Sequence, residues 1–212
     1  MASATLLQAQ ADKEPRLRVG LHLAPTDLIN LNSRFRLGTH LQLGRVTVII
    51  DAAHSLFIKQ RWFPRSNEVG YEYFSIRPEV RYSPPGRAGL SRLYFGLEIP
   101  HSENRTTFTR TSFEDTDQLR YAVDGATKVR RKTGLLLKSG YHDTFGKWFY
   151  FDFYCGLGAA FRSVRYLDTV NKTRSFEEPT EEWGMSSDNT PAGDRWVPDL
   201  SFGVRAGVWL RR

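Results

Sequence analysis

Cysteine occurs once, at Cys155. An intrachain disulfide is therefore impossible, and no cysteine pair is at hand for a structural zinc site. Long apolar runs are missing too. The longest, such as Val48-Ile49-Ile50, have the length of a strand segment, far short of the ~18 residues that a membrane helix needs. Basic clustering is also missing. The formal charge is +7, yet Arg and Lys recur at alternate positions within apolar segments rather than in one patch or along one helix. That distribution argues against nucleic-acid recognition. Low-complexity tracts are absent, and 13% aromatic residues is not the composition of a disordered chain.

The length of 212 residues suits one domain, placed here at 16–212. Residues 1–15 read separately. Ala2 to Leu7 is mildly apolar, and Ala9-Gln10-Ala11 has the small-x-small form of a signal-peptidase site, so this stretch reads as the tail of a signal peptide or a disordered leader.

Within the domain, period-two alternation returns eight times, the pattern of strands with unlike faces. Leu17, Val19, Leu21 and Leu23 oppose Arg18, Gly20 and His22. Phe35 to Leu43 alternate with Arg34, Arg36, Gly38, His40 and Gln42. Val46, Val48 and Ile50 oppose Thr47, Ile49 and Asp51, and Phe74, Ile76, Pro78, Val80 and Tyr82 oppose Ser75, Arg77, Glu79 and Arg81. Leu93, Phe95, Leu97 and Ile99 face away from Tyr94, Gly96 and Glu98. A sixth strand near 129–138 is irregular, with Arg131 on its apolar side. The seventh runs from Phe149 to Arg162 and the last from Leu200 to Leu210. Pro78 counts against a closed barrel, because it withholds a ladder donor where there is no free edge; a bulge there would reconcile it.

Connections alternate between short (Gly44-Arg45, 83–86, 142–146) and long (24–33, 58–72, 100–128, 166–195). Short turns on one side and long loops on the other, joining strands of ~9–11 residues, describe a membrane barrel. The polar face mixes Gly with Arg, the combination a crowded lumen requires, whereas a soluble exterior favours Lys, Glu and Thr. Aromatic residues collect at strand ends (Tyr73, Phe74, Tyr82, Trp148, Phe149, Tyr166, Trp196), where interfacial girdles belong. The expected fold is all-β: an eight-stranded antiparallel up-and-down transmembrane β-barrel, its apolar face toward lipid.

Several stretches carry a resemblance: Gly20 to Pro25 followed by Leu28-Ile29-Asn30, then Arg77-Pro78-Glu79-Val80-Arg81-Tyr82, Tyr94-Phe95-Gly96 and Tyr154-Cys155-Gly156-Leu157-Gly158. With these the chain resembles the small eight-stranded outer-membrane barrels, such as the OmpA transmembrane domain and OmpX. More narrowly, it is similar to an uncharacterised family of exported barrels from Bacteroidota. The resemblance spans about residues 17–210 and implies location in the bacterial outer membrane. The ending Trp209-Leu210-Arg211-Arg212 departs from the aromatic last residue usual in such barrels.

Candidate sites follow from the faces. Arg18, Arg36, Asp51, Arg77, Glu79, Arg81, Glu98, Asp152, Arg162 and Arg205 are expected to form a lumenal charge network. Eight strands leave room for side chains alone, so the network reads as a plug rather than a channel. His101, Ser102 and Glu103, or His54 beside Ser55, offer a catalytic alternative, a lipid acyl hydrolase or transferase. Neighbours on a strand point to opposite faces, however, which works against a shared proton.

The acidic stretch Glu177, Glu178, Glu181, Glu182, Asp188 and Asp194 fits no recognised cation loop and reads as solvated. Residues 104–123 alternate Thr with Phe and Arg around an acidic turn at 114–117. They are expected to extend outward as a hairpin with an exposed edge, on which Phe108, Phe113 and Tyr121 would anchor a protein partner. The expected function is that of a non-enzymatic surface, scaffold or interaction component, in contact with outer-membrane lipid and without cofactor, metal or nucleic acid.

Overall fold

The computed structural model describes residues 17–26, 34–55, 68–85, 92–175 and 191–211. The expected leader at 1–15 lies outside them. The regular structure of the described residues is almost entirely strand, with tight turns at 44–45, 116–117 and 146–148. In chain order the strands are β1 (Leu17–Leu23), β2 (Arg34–Leu43), β3 (Val46–Ser55), β4 (Glu68–Tyr82), β5 (Leu93–Glu98) and β6 (His101–Phe108). There follow β7 (Thr111–Glu114), β8 (Arg120–Val123), β9 (Gly125–Phe145), β10 (Phe149–Val170), β11 (Thr173–Arg174) and β12 (Gly193–Arg211).

β5 and β6 act as one strand. Both lie between β4 and β9, and the register runs straight through, with Glu79 opposite Glu98 and Ile76 opposite His101. The ladder lapses between them because Pro78 and Pro100 both lack an N–H. The Ile99 N–H to the Pro78 carbonyl and the Gly134 N–H to the Pro100 carbonyl, each 3.0 Å, bridge the interval. Pro78 is therefore accommodated without a bulge. Two adjacent prolines interrupt the hydrogen bonding and leave the register intact.

Counted this way, eight antiparallel strands close a ring in the order β1, β2, β3, β4, β5–β6, β9, β10, β12. Ring neighbours are also successive ring strands along the chain, apart from the closing pair. That pair is short: β1 meets only the end of β12, from Leu23 opposite Ala206 to Val19 opposite Arg211, with a register shift between Val19 and Gly20. From Gly193 to Arg205, β12 is paired with β10 alone among the described residues. At one end of the ring Gly44 (φ 59°) and Gly146 (φ 63°) make the tight turns, in a backbone region that glycine enters without a Cβ penalty. At the other end β7, β8 and β11 form a separate three-stranded sheet.

The strands outrun the alternation read from sequence. β9 has 21 residues and β10 has 22, so most of what reads as loop at 100–128 is strand, as are 68–72 and 166–170 at the edges of the other long connections. These extensions are rich in Thr, Arg, Lys and Asp, and alternating hydrophobicity stops where they begin.

Candidate functional site

The side chains divide as the period of two demands. Leu97, Phe151, Leu157, Leu200, Phe202 and Leu210 point away from the ring and are exposed, Phe202 at 83%. Asp51, Glu79, Glu98, Asp152 and Arg205 point into it and are fully buried. The protein is thus apolar outside and charged inside.

The interior charges are matched. Among the described residues, the cations Arg77, Arg81, Lys138 and Arg205 meet the carboxylates Asp51, Glu79, Glu98 and Asp152. Arg205 is central: its guanidinium reaches Asp51 at 2.7 Å, Glu79 at 2.9 Å and Asp152 at 3.0 Å. Lys138 bridges Glu79 at 2.7 Å and Glu98 at 2.6 Å. Arg81 joins Glu79 to Asp152, the latter at 2.7 Å. Arg77 Nε donates to Glu98 at 2.7 Å, and its Nη2 donates to the Ser201 hydroxyl, also at 2.7 Å. His22 pairs with Asp51 at 2.6 Å, and the Tyr94 hydroxyl donates to Asp152 at 2.7 Å. Buried charges are tolerated when each has partners of opposite sign and satisfied hydrogen bonds; the carboxylates and their Arg and Lys partners meet that condition in a network drawn from seven ring strands, while His22 Nδ1 has no partner among the described residues.

The glycines of the same face make room for it. A Cβ on Gly38 would collide with the His22–Asp51 pair, and one on Gly203 would collide with the Tyr154 hydroxyl. Backbone without side chains is what lets large groups from neighbouring strands cross the middle.

Of the ten residues expected in the network, Asp51, Arg77, Glu79, Arg81, Glu98, Asp152 and Arg205 are in it. Arg36 lies just outward, donating to the Tyr154 hydroxyl at 3.3 Å. Arg18 sits at the short-turn end, its guanidinium 4.2 Å from the centroid of the Trp209 ring. Arg162 lies near the opposite end, on the wall of a separate cavity. Lys138, His22 and Tyr94 were not singled out beforehand, although each lies on a polar face that the alternation had already marked.

The plug separates two open spaces. Toward the short turns is a cavity of about 480 Å³ with His40, His142, Arg92 and Trp209 on its walls. Toward the long connections is one of about 660 Å³, walled by Arg34, Arg36, Arg130, Lys132, Arg162 and Asp199 among others.

The catalytic alternative finds no assembled site. His101 shares a 2.8 Å hydrogen bond with the Thr133 hydroxyl on the outer face; Ser102, the next residue on β6, faces the other way, opposite Ser75 and Lys132, although both residues border the outer cavity. Glu103 is engaged by Arg105 and Arg131, each at 2.8 Å. His54 is held by the backbone carbonyl of Ser55 at 2.7 Å. Arg131, which broke the alternation, is therefore an outward residue with its own ion pair.

The expected partner anchors need correction. Phe108 is 3% and Phe113 2% exposed, so neither is available on a surface. Phe113 stacks on Tyr166, with ring centroids 4.0 Å apart and planes 10° apart, over Val123 and Ala126. Tyr121 packs against the same cluster and donates to Asp117 at 2.7 Å. The hairpin exists as β7 and β8, with the acidic stretch as its turn, but it folds onto the protein's own β11 instead of offering a bare edge. Its β7 side is met by the Ala192 N–H, 2.8 Å from the Glu114 carbonyl.

Two members of the expected aromatic girdle are also inward. Tyr73 is buried beneath Arg34, and Tyr166 belongs to the Phe113 cluster. Phe74, Tyr82, Trp148, Phe149 and Trp196 are outward and exposed.

No family model, no curated protein and no solved structure matches this chain. Any functional reading therefore stands on the geometry alone. Of the acidic stretch, Asp194 is described and pairs with Arg165 at 2.9 Å; Glu177, Glu178, Glu181, Glu182 and Asp188 lie outside the described residues.

Proposed function

We propose that this protein is an eight-stranded transmembrane β-barrel of a bacterial outer membrane, with a plugged lumen, acting there as a non-enzymatic surface component. The observation that carries the reading is the outward apolar belt. On β10 the outward residues run from Phe149 through Phe151, Phe153 and Leu157 to Phe161. This is about 40 Å of strand at roughly 3.3 Å per residue, or about 30 Å in height at a tilt of roughly 40°. A bilayer core has about that thickness. Beyond it charged groups enter the outer face, Arg165 with Asp194 and Arg105 and Arg131 with Glu103, with Leu167 an apolar exception on β10. In water, a belt of this extent would be an aggregation hazard; in lipid it is the expected surface.

The matched plug supports a structural rather than conducting interior, because fully buried charges there satisfy one another across the ring. The compact β7–β8–β11 cap would stand above the external leaflet. Fractionation of cells exporting the full-length protein provides the test. It should stay with detergent-extracted outer membranes and migrate differently on gels with and without boiling. Recovery as a soluble protein without detergent, with no such gel shift, would reject the reading.

A further inference from the structure

We propose that three histidines at the short-turn end of the lumen form an acid-operated latch, which parts on protonation and admits water to the underside of the plug. This goes beyond the membrane reading and does not depend on it, since every group concerned is inside the ring. The chain has five histidines. Three of them, His22 on β1, His40 on β2 and His142 on β9, come together. The ring centroid of His40 lies 4.7 Å from that of His22 and 6.0 Å from that of His142. Tyr150 lies 4.8 Å from His40 and 5.1 Å from His142, and Trp209 lies 4.8 Å from Tyr150 and 5.9 Å from His142.

Apart from the His22–Asp51 bond of 2.6 Å, ring packing rather than hydrogen bonding holds this cluster. Trp209 and Tyr150 lie against Gly20 and Gly207, where a Cβ would meet them. His22 Nδ1, His40 Nε2, the Tyr150 hydroxyl and Trp209 Nε1 are buried and have no hydrogen-bond partner among the described residues. Buried hydrogen bonds left unmade are costly, so the closed arrangement is weakly secured. Room to leave it is at hand. His40, His142 and Trp209 are on the wall of the cavity of about 480 Å³ toward the short turns, and the same cavity brings protons to them.

Imidazole gains a charge between roughly pH 8 and 5, and the surroundings make that gain disruptive. Arg81 of β4 and Arg205 of β12 face His40, and Arg81 and Arg18 of β1 face His142. The carboxylates in reach are already shared. Asp51 of β3 accepts from Arg205 and pairs with His22. Asp152 of β10 accepts from Arg81, Arg205 and the Tyr94 hydroxyl of β5. Asp143 of β9 is held by Arg92 at 2.6 Å. A proton on His40 or His142 therefore adds positive charge beside guanidinium groups at short range and low water content. The response that costs least is movement of these rings into the cavity, where water solvates the new charge.

The test uses the full chain folded in detergent micelles, with Trp62, Trp148, Trp183 and Trp196 replaced by Phe so that Trp209 alone emits. Quenching of Trp209 by acrylamide should rise severalfold as pH falls from about 8 to about 4 across the imidazole range, with the strand circular dichroism unchanged. His40→Gln combined with His142→Gln should abolish the rise. His54→Gln combined with His101→Gln should leave it intact. If the first pair of substitutions prevents folding, His142→Gln alone decides and should at least halve the rise. Flat quenching across the range overturns the proposal. So does a rise that survives these histidine substitutions, or one that comes only with loss of the strand signal. The gel shift at neutral pH is read separately, so failure of the latch leaves the barrel standing.

Discussion

Arg205 donates hydrogen bonds to three of the four interior carboxylates, lies 4.0 Å from the fourth, Glu98, and is completely buried. Replacing it with Met would leave Asp51, Glu79 and Asp152 short of a shared cation. Breaking a buried pair from one side costs ~3–5 kcal/mol. Arg205→Met should therefore lower the urea midpoint of unfolding in micelles far more than a charge removal at exposed Arg92. A midpoint within error of the parent would mean that the plug does not stabilise the ring. At this scale the sequence was informative about which residues turn inward, because a strand's period of two leaves one choice per position. It was silent on partners. Arg205 and Asp51 come from opposite ends of the chain, and only strand order and register bring them to 2.7 Å. The aromatic anchors failed for a related reason. Phe113 and Phe108 are good contact residues wherever they sit, and nothing local in the sequence announces that Tyr166 will cover Phe113.

Among the elements, the strands divide into a part with an apolar outer face and a part whose outer face carries ion pairs. Leu97 lies on β5, in the middle of the outward belt. Arg in its place should cost ~2–4 kcal/mol when the protein is folded into bilayer vesicles, whereas outward Arg131, beyond the belt, already carries that charge. Equal folding yields for the parent and Leu97→Arg would argue against a lipid-facing position. The ion-paired extensions escaped the sequence reading because hydrophobic alternation was the signal used, and it fades as soon as both faces are polar.

The cap has its own sensitivity. Lys172 donates to Asp115 at 2.6 Å. This bond, with help from the Thr116 N–H, holds the Asp115 carboxyl below the usual aspartate value of 3.8. A depressed carboxyl contributes stability that is complete above its ordinary range and lost as pH falls through the depressed value. The link between the β7–β8 turn and Lys172 should therefore loosen in acid and be intact at neutral pH. Ring resonances of Tyr121, which lies against Lys172 at 3.9 Å, should shift over that acid range alone. No shift, or one centred near neutrality, would contradict the assignment.

For the whole molecule, the belt has two edges, and a tryptophan stands outward at each: Trp148 at the short-turn end and Trp196 at the other, 60% and 70% exposed. Single-tryptophan variants keeping one or the other should be quenched by shallow brominated lipids more than by deep ones, and Trp209, buried inside the ring, by neither. Deep quenching of Trp148 or Trp196 would move the membrane boundary. The ring also has a history built into its shortest seam. Every other pairing joins strands that follow one another along the chain, so each can zip as its second partner arrives. The seam of β1 with β12 joins Val19 to Arg211 and encloses nearly all the intervening chain, a closure that carries the largest entropic cost and the fewest rewards. Folding should therefore proceed as a growing curved sheet that remains open until its last strand is delivered, with seam formation the slow event. The same seam is where the finished ring should begin to come apart.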